Sequence, residues 1–254
     1  MNYRVALVSG ASAGIGKAVA ETLAEAGVKL VLLARREDRL LALAESLRQR
    51  TACHVLACDL TDAQQLEEKI QVLPPEFAEV DVLVNCAGAA LGLHVAQKAD
   101  WNDWRAMIEL NCVALARLTH RFLPGMVARN RGHIVNIGSI AGSYPYKAGN
   151  VYGATKAFVE QFTLNLKADL LGTQVRVSNI EPGMVAATEF SVVRFGGDMA
   201  RVADTYRGIE ALTPADIAAA VQWVLSQPPH VNVNRIEIMP VAQAPSRTEY
   251  FRST

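Results

Sequence analysis

Apolar residues along this chain follow two rhythms. Short runs such as VALV at 5–8, KLVLLA at 29–34 and VLV at 82–84 show almost no polar alternation. Strands read this way when both faces are covered. Strands are predicted at 4–8, 29–34, 54–57, 80–85, 132–137, 174–180 and 235–239. Between them apolar residues recur at helical spacing, predicting helices at about 14–26, 37–49, 63–72, 101–129, 151–171 and 214–226. Strand and helix take turns throughout. This predicts an α/β fold: a single doubly wound, Rossmann-type domain spanning 1–254, with a mainly parallel seven-stranded sheet and helices on both faces. The stretch 183–212 interrupts the alternation, and its length points to a lid or substrate loop. The polar tail at 242–254 is expected to fray or to reach a neighbouring subunit.

Composition narrows the function classes. With 254 residues, 51% hydrophobic, the chain can bury a sizeable core. Its formal net charge is zero, so no strong field favours nucleic acid or an anionic membrane. The apolar runs are too short to cross a bilayer, and no apolar signal region followed by a cleavage site opens the sequence. Cys53, Cys58, Cys86 and Cys112 form no CxxC pair and sit in apolar settings. They read as core thiols, and the protein is expected in the cytoplasm.

The first strand runs into a glycine turn, Gly10, Ser12, Gly14, Ile15 and Gly16, which opens the first helix. Tight turns and close approach of a pyrophosphate call for glycine, and a helix N-terminus offers free N–H groups to the anion. The spacing is G-x3-G-x-G rather than the commoner G-x-G-x-x-G. After the second strand come Arg35 and Arg36, with no acid to accept from a ribose 2′-OH. Two guanidiniums there suit a 2′-phosphate and favour NADP over NAD. Asp59 and Leu60 follow the third strand, where Asp59 either accepts from an adenine amino group or caps the next helix. Asn85, Cys86, Ala87 and Gly88 close the fourth strand, where open α/β sheets hold ligands.

Tyr152 and Lys156 stand four residues apart on a predicted helix, hence on one face. A free phenol is a poor base at neutral pH, and a neighbouring ammonium stabilises its phenolate. Ser139 follows the fifth strand, and Asn111 sits inside a helix it forms poorly, where its amide could disturb the helix and hold a water. Each residue alone has an ordinary reading: a solvated helix face, a turn serine, a satisfied core amide.

Taken in order, the glycine turn Gly10–Gly16, Asp59, Asn85-Cys-Ala-Gly88, Asn111, Ser139, Tyr152-xxx-Lys156 and Pro182-Gly183 resemble the short-chain dehydrogenase/reductase family over nearly the whole chain. The resemblance implies a catalytic centre of Ser139, Tyr152 and Lys156 supported by Asn111. Tyr152 would act as acid or base, Lys156 would also hold the nicotinamide ribose, Ser139 would bond the substrate oxygen, and Asn111 would anchor a relay water. It implies NADP(H) bound by the turn and strand-end residues above, together with Tyr152, Lys156, Pro182, Gly183, Val185 and Thr188. It also implies a homotetramer. Two positions depart from the family pattern: Ser9 replaces the usual Thr, and Cys86 replaces an Asn. Thr188-Glu-Phe, Val193-Arg-Phe and the ending Val231–Pro240 are similar to the branch of NADP-dependent 3-hydroxy acid dehydrogenases, including those acting on L-serine and L-allo-threonine.

A small 3-hydroxy acid, such as serine or 3-hydroxypropionate, is therefore the expected substrate, contacted by Ser139, Tyr152 and Arg194. Arg194 would grip the carboxylate, the alternative being a salt bridge to Asp198 or Glu189. Other readings are a reductase of bulkier ketones or carrier-bound 3-oxoacyl groups, and a non-catalytic NADPH sensor. A serine hydrolase fits poorly, since Gly138-Ser-Ile-Ala-Gly142 misses G-x-S-x-G by one position. A metal enzyme fits poorly too, with scattered histidines and no HExxH.

Overall fold

A computed structural model describes residues 3–245. Of the expected tail, residues 246–254 lie outside the described ones. Seven strands, β1 (Val5–Ser9), β2 (Lys29–Ala34), β3 (Cys53–Ala57), β4 (Val82–Asn85), β5 (Gly132–Ile137), β6 (Val175–Pro182) and β7 (Arg235–Ile238), form one sheet in the order β3-β2-β1-β4-β5-β6-β7. Every pairing is parallel. The alternation of strand and helix was thus a sound guide to the fold class.

Successive residues of a strand face opposite sides, which explains why these runs are apolar throughout. On β1, Ala6 and Val8 pack under α1 (Gly14–Glu25), α2 (Glu37–Leu47) and α10 (Pro214–Ser226). Val5 and Leu7 face the other layer, α3 (Ala63–Gln71), α6 (Leu115–Ala128) and α7 (Asn150–Asp169), with Phe77 of the short α4 (Pro75–Ala78). Leu32 and Leu83 are 0% exposed, and burying each such side chain contributes about 2 kcal/mol. The helix over 214–226 has its predicted bounds. Thr213 and Asp216 cap it reciprocally, and Pro214 supplies the first turn.

The predicted helix over 101–129 is not one regular helix. It consists of α5 (Trp101–Ile108), a π-helical turn (Glu109–Ala114) and α6, which carries Pro124 inside it. The stretch 183–212 is likewise not irregular throughout. It holds α8 (Phe190–Arg194) and α9 (Met199–Tyr206). Its two ends are pinned together where Ala186 N donates to Leu212 O at 2.8 Å and Leu212 N to Met184 O at 3.0 Å.

From β1 the strand order runs outward in opposite senses, to β2 and β3 on one side and to β4–β7 on the other, leaving a crevice between the carboxyl ends of the parallel neighbours β1 and β4. The Ser9 hydroxyl ties that crevice together. It accepts from Cys86 N at 3.0 Å and Ala87 N at 3.1 Å and donates to Val84 O at 3.2 Å. No helix among the described residues is long and apolar enough to cross a membrane.

Candidate active site

The crevice opens into a cleft of about 890 Å³. One end is built from the glycine turn. Gly10 adopts φ +70°, and a Cβ there would meet the Ala87 backbone at 3.0 Å. Ala13, which precedes α1, has no side-chain cap bond, and the first turn of α1 carries no acid. The uncapped helix end, lined by Ser12, Gly14, Ile15 and Gly16, is a seat for an anion.

Arg36 leans back over this turn, its Nε and Nη2 donating to Ser12 Oγ at 3.3 and 3.0 Å. Arg35 is more exposed and lies 4.0 Å from Asp59 Oδ2. Asp59 and Leu60 line the same wall. The capping alternative for Asp59 does not hold, because Asp62 caps α3 by accepting from Gln65 N. Ala87, Gly88, Pro182, Gly183, Val185 and Thr188 line the cleft. These contacts fit a dinucleotide with a 2′-phosphate: glycine backbone at one place, an open helix end next to it, and guanidiniums beyond.

Asn85 turns its side chain inward. Its side chain lies outside the cleft lining, and Nδ2 donates to Thr119 Oγ1 at 3.1 Å and Asn136 Oδ1 at 2.8 Å. It braces β4 against β5 and α6. Cys86, the departure from the family pattern, lines the cleft instead. Burial pushes its thiol up to about 12, with nearby Lys156 pulling the other way.

At the other end Ser139, Tyr152 and Lys156 converge. Ser139 sits just beyond β5, and its Oγ accepts from Ala141 N at 3.1 Å in a 3-10 turn (Ile140–Gly142). Gly142 lets this turn abut α7, since a Cβ there would lie 2.9 Å from the Lys156 carbonyl carbon. Tyr152 lies in the first turn of α7, 6% exposed. One turn on, Lys156 is 7% exposed, and its Nζ donates to Ile137 O at 2.8 Å and stands 6.0 Å from the Tyr152 ring centre. Burial pushes the Lys156 ammonium down to about 8, with the Cys86 and Cys112 thiols opposing.

Asn111 lies in the π-helical turn, behind the cleft lining. Its Oδ1 accepts from Ala89 N at 2.9 Å. Its Nδ2 donates to Ala89 O at 2.9 Å and Thr155 Oγ1 at 3.0 Å. Both amide hydrogens are therefore used by protein, so the side chain is a brace and not a water donor. It disturbs the helix as expected, for this reason. A Cβ on Gly88 would lie 3.2 Å from Asn111 Oδ1 and 3.6 Å from Lys156 Nζ, so the brace reaches the reacting centre.

Arg194 is 6% exposed and stands directly behind the lining. Its Cζ is 5.6 Å from the Tyr152 ring centre and 5.5 Å from that of Tyr146, and Nη2 donates to Tyr146 Oη at 2.7 Å. Its Nε has no partner among the described residues. The expected alternative, an ion pair with Asp198 or Glu189, is not what forms. Asp198 caps α9, while Glu189 pairs with Arg36 and Arg39. Sequence reasoning missed Arg39, Tyr146 and Phe190, whose ring lies 5.7 Å from that of Tyr152. The hydrolase reading also fails here, since no histidine lines the cleft with Ser139.

A family model described as short chain dehydrogenase matches residues 4–195. The chain belongs to the short-chain dehydrogenase family. An NADP-dependent 3-hydroxy acid dehydrogenase of Salmonella typhi is 51% identical over 98% of this chain and 100% of its own length. A sulfoacetaldehyde reductase of Chromohalobacter salexigens is 47% identical over 93% of this chain and 94% of its own. Among solved structures, the closed form of a serine dehydrogenase complexed with NADP+ matches with a TM-score of 0.91 at 49% identity, covering 94% of this chain and 96% of that one. The short-chain dehydrogenase family and fold thus agree with what the sequence implied.

Proposed function

We propose that this chain is an NADP(H)-dependent dehydrogenase of small 3-hydroxy acids. The observation that carries the substrate class is the buried guanidinium of Arg194 against Tyr152, with Nε still unpartnered. A carboxylate two bonds from the carbinol carbon suits a cation held beside the group that handles the hydroxyl proton. The reading requires α8 to shift so that Arg194 reaches past the lining. Two relatives named for 3-hydroxy acids and serine support it. The sulfonate relative fits the same logic, because a sulfonate offers a guanidinium the same negative oxygens.

When bound, the cofactor supplies the hydride acceptor or donor. The chain's own residues handle the rest. Ser139 Oγ orients the substrate oxygen. Tyr152 takes the hydroxyl proton in oxidation and returns it in reduction. The Lys156 ammonium stands 6.0 Å from its ring centre, one turn along α7. Ile137 O fixes the rotamer of Lys156, and Asn111 fixes the wall beside it.

Asn111, Ser139, Tyr152 and Lys156 all stand together in this reading, which disfavours a mere sensor. A homotetramer in the cytoplasm completes it. The supports are exposed apolar residues on the helices, Trp101 on α5 and Phe158 and Leu164 on α7 among them, and four free thiols. Kinetics of Arg194→Ala test the substrate class. KM for 3-hydroxy acids is expected to rise about 10-fold or more, while KM for a neutral secondary alcohol stays within about twofold. Equal effects on both substrates would remove the carboxylate reading.

A further inference from the structure

Arg36 and Arg39 stand one turn apart at the start of α2 and close on a single carboxylate. Glu189 Oε2 is 2.7 Å from Arg36 Nη2, and Glu189 Oε1 is 2.6 Å from Arg39 Nη1. Arg36 is at the same time anchored on Ser12 of the glycine turn. Glu189 and Arg36 both line the cleft, at the wall where the second strand ends. A side-chain anion from 183–212 therefore sits between two cations at the adenosine end of the site.

We propose that Glu189 is a resident anion in the seat of the cofactor's 2′-phosphate, displaced when that phosphate binds, and that Arg39 is a second ligand to the phosphate beside Arg36. The inference rests on the NADP reading given above. Charge decides between displacement and co-occupancy. Two guanidiniums and one carboxylate leave a single positive charge, while a phosphate of about two negative charges matches the empty pair. Were Glu189 to stay, it would face that phosphate as a like charge. Bonds from Arg36, then Arg39, hold the Glu189 carboxyl down at about 2, so it is an anion at neutral pH.

The consequence runs to the reacting centre. Glu189 immediately precedes α8, whose Phe190 lies against Tyr152 and whose Arg194 lies over it. Just before it, Ala187 is held at φ +55°, a left-handed conformation that disfavours a side chain. Thr188 packs on the glycine turn, 3.4 Å from where a Gly14 Cβ would stand. Removing Glu189 from the arginine pair frees the segment that covers Tyr152. The 2′-phosphate would thus unlatch the same short helix that must shift for Arg194 to meet a carboxylate.

Calorimetric titration of the full-length protein with NADP+, NAD+ and 2′,5′-ADP tests this without turnover. Glu189→Gln is expected to bind NADP+ and 2′,5′-ADP about five- to tenfold tighter and NAD+ unchanged. Arg39→Gln is expected to weaken NADP+ and 2′,5′-ADP about five- to tenfold while sparing NAD+. Equal weakening of NADP+ and NAD+ by Glu189→Gln would make Glu189 a strap over the cofactor and overturn the proposal, as would no change in any titration. A wild-type protein that prefers NAD+ would instead remove the NADP reading itself, a separate failure.

Discussion

The Lys156 ammonium lies 2.8 Å from the Ile137 carbonyl oxygen, buried one helical turn beyond Tyr152. A cation is thereby held away from water beside the Tyr152 ring, 6.0 Å from its centre. The arrangement trades stability for chemistry. Burial pushes Lys156 from 10.5 in the unfolded reference to about 8. Below about 8 both states carry the proton, and between about 8 and 10.5 only the unfolded chain keeps it, so stability rises with pH in that window. Lys156→Met is expected to be about 1–3 kcal/mol more stable at pH 7, to lose the alkaline rise, and to lose kcat by about 100-fold or more. Urea denaturation at pH 7 and 10 with a parallel assay checks this. A variant that is less stable at pH 7 and still active would contradict it.

Asn111 and Ala89 exchange two hydrogen bonds across 22 residues of chain, and the helix opens into a π turn to allow it. Asn111→Ala leaves the Ala89 N–H and C=O without those partners. It is expected to cost about 1–3 kcal/mol and to speed hydrogen exchange at the Ala89 amide. If Ala89 keeps its protection while activity falls, the brace is not what Asn111 provides.

Just outside the cleft lining, Glu181 on β6 is 1% exposed and paired with Arg235 Nε at 2.6 Å. Burial raises its carboxyl to about 7, with Arg235 opposing. Between about 4.5 and 7 the folded chain holds the proton that the unfolded chain has lost, so this residue makes stability fall as pH rises. The fall is on the order of 3 kcal/mol across that window. Glu181→Gln is expected to flatten it, as read from thermal denaturation between pH 4.5 and 7.5. An unchanged slope in the variant would show that another group is responsible.

Much of this molecule is legible in its sequence, and the illegible parts share a cause. Unbroken apolar runs such as 30–34 announce strands covered on both faces, and Thr213-Pro214 with Asp216 marks where α10 starts. The π turn is invisible locally, because Asn111 departs from helix geometry for a partner on the fourth strand's exit. Asn85 looks like a site residue by position, yet its bonds run inward to residues 34 and 51 positions away. The roles of Glu189 and Arg194 are likewise tertiary: one finds Arg39 at a separation of 150 residues, the other stacks on a tyrosine from a different helix. Short helices such as α8, only five residues long, carry too little periodicity to announce themselves.

Cofactor reduction by the purified protein tests the central claim most directly. NADP+ or NAD+ would be mixed with L-serine, L-allo-threonine, 3-hydroxypropionate, 3-hydroxybutyrate and a neutral secondary alcohol. The account predicts NADP+-dependent turnover of the hydroxy acids, reduced about 100-fold or more by Tyr152→Phe. Turnover of the neutral alcohol alone, or hydroxy acid turnover that survives Tyr152→Phe, would contradict it.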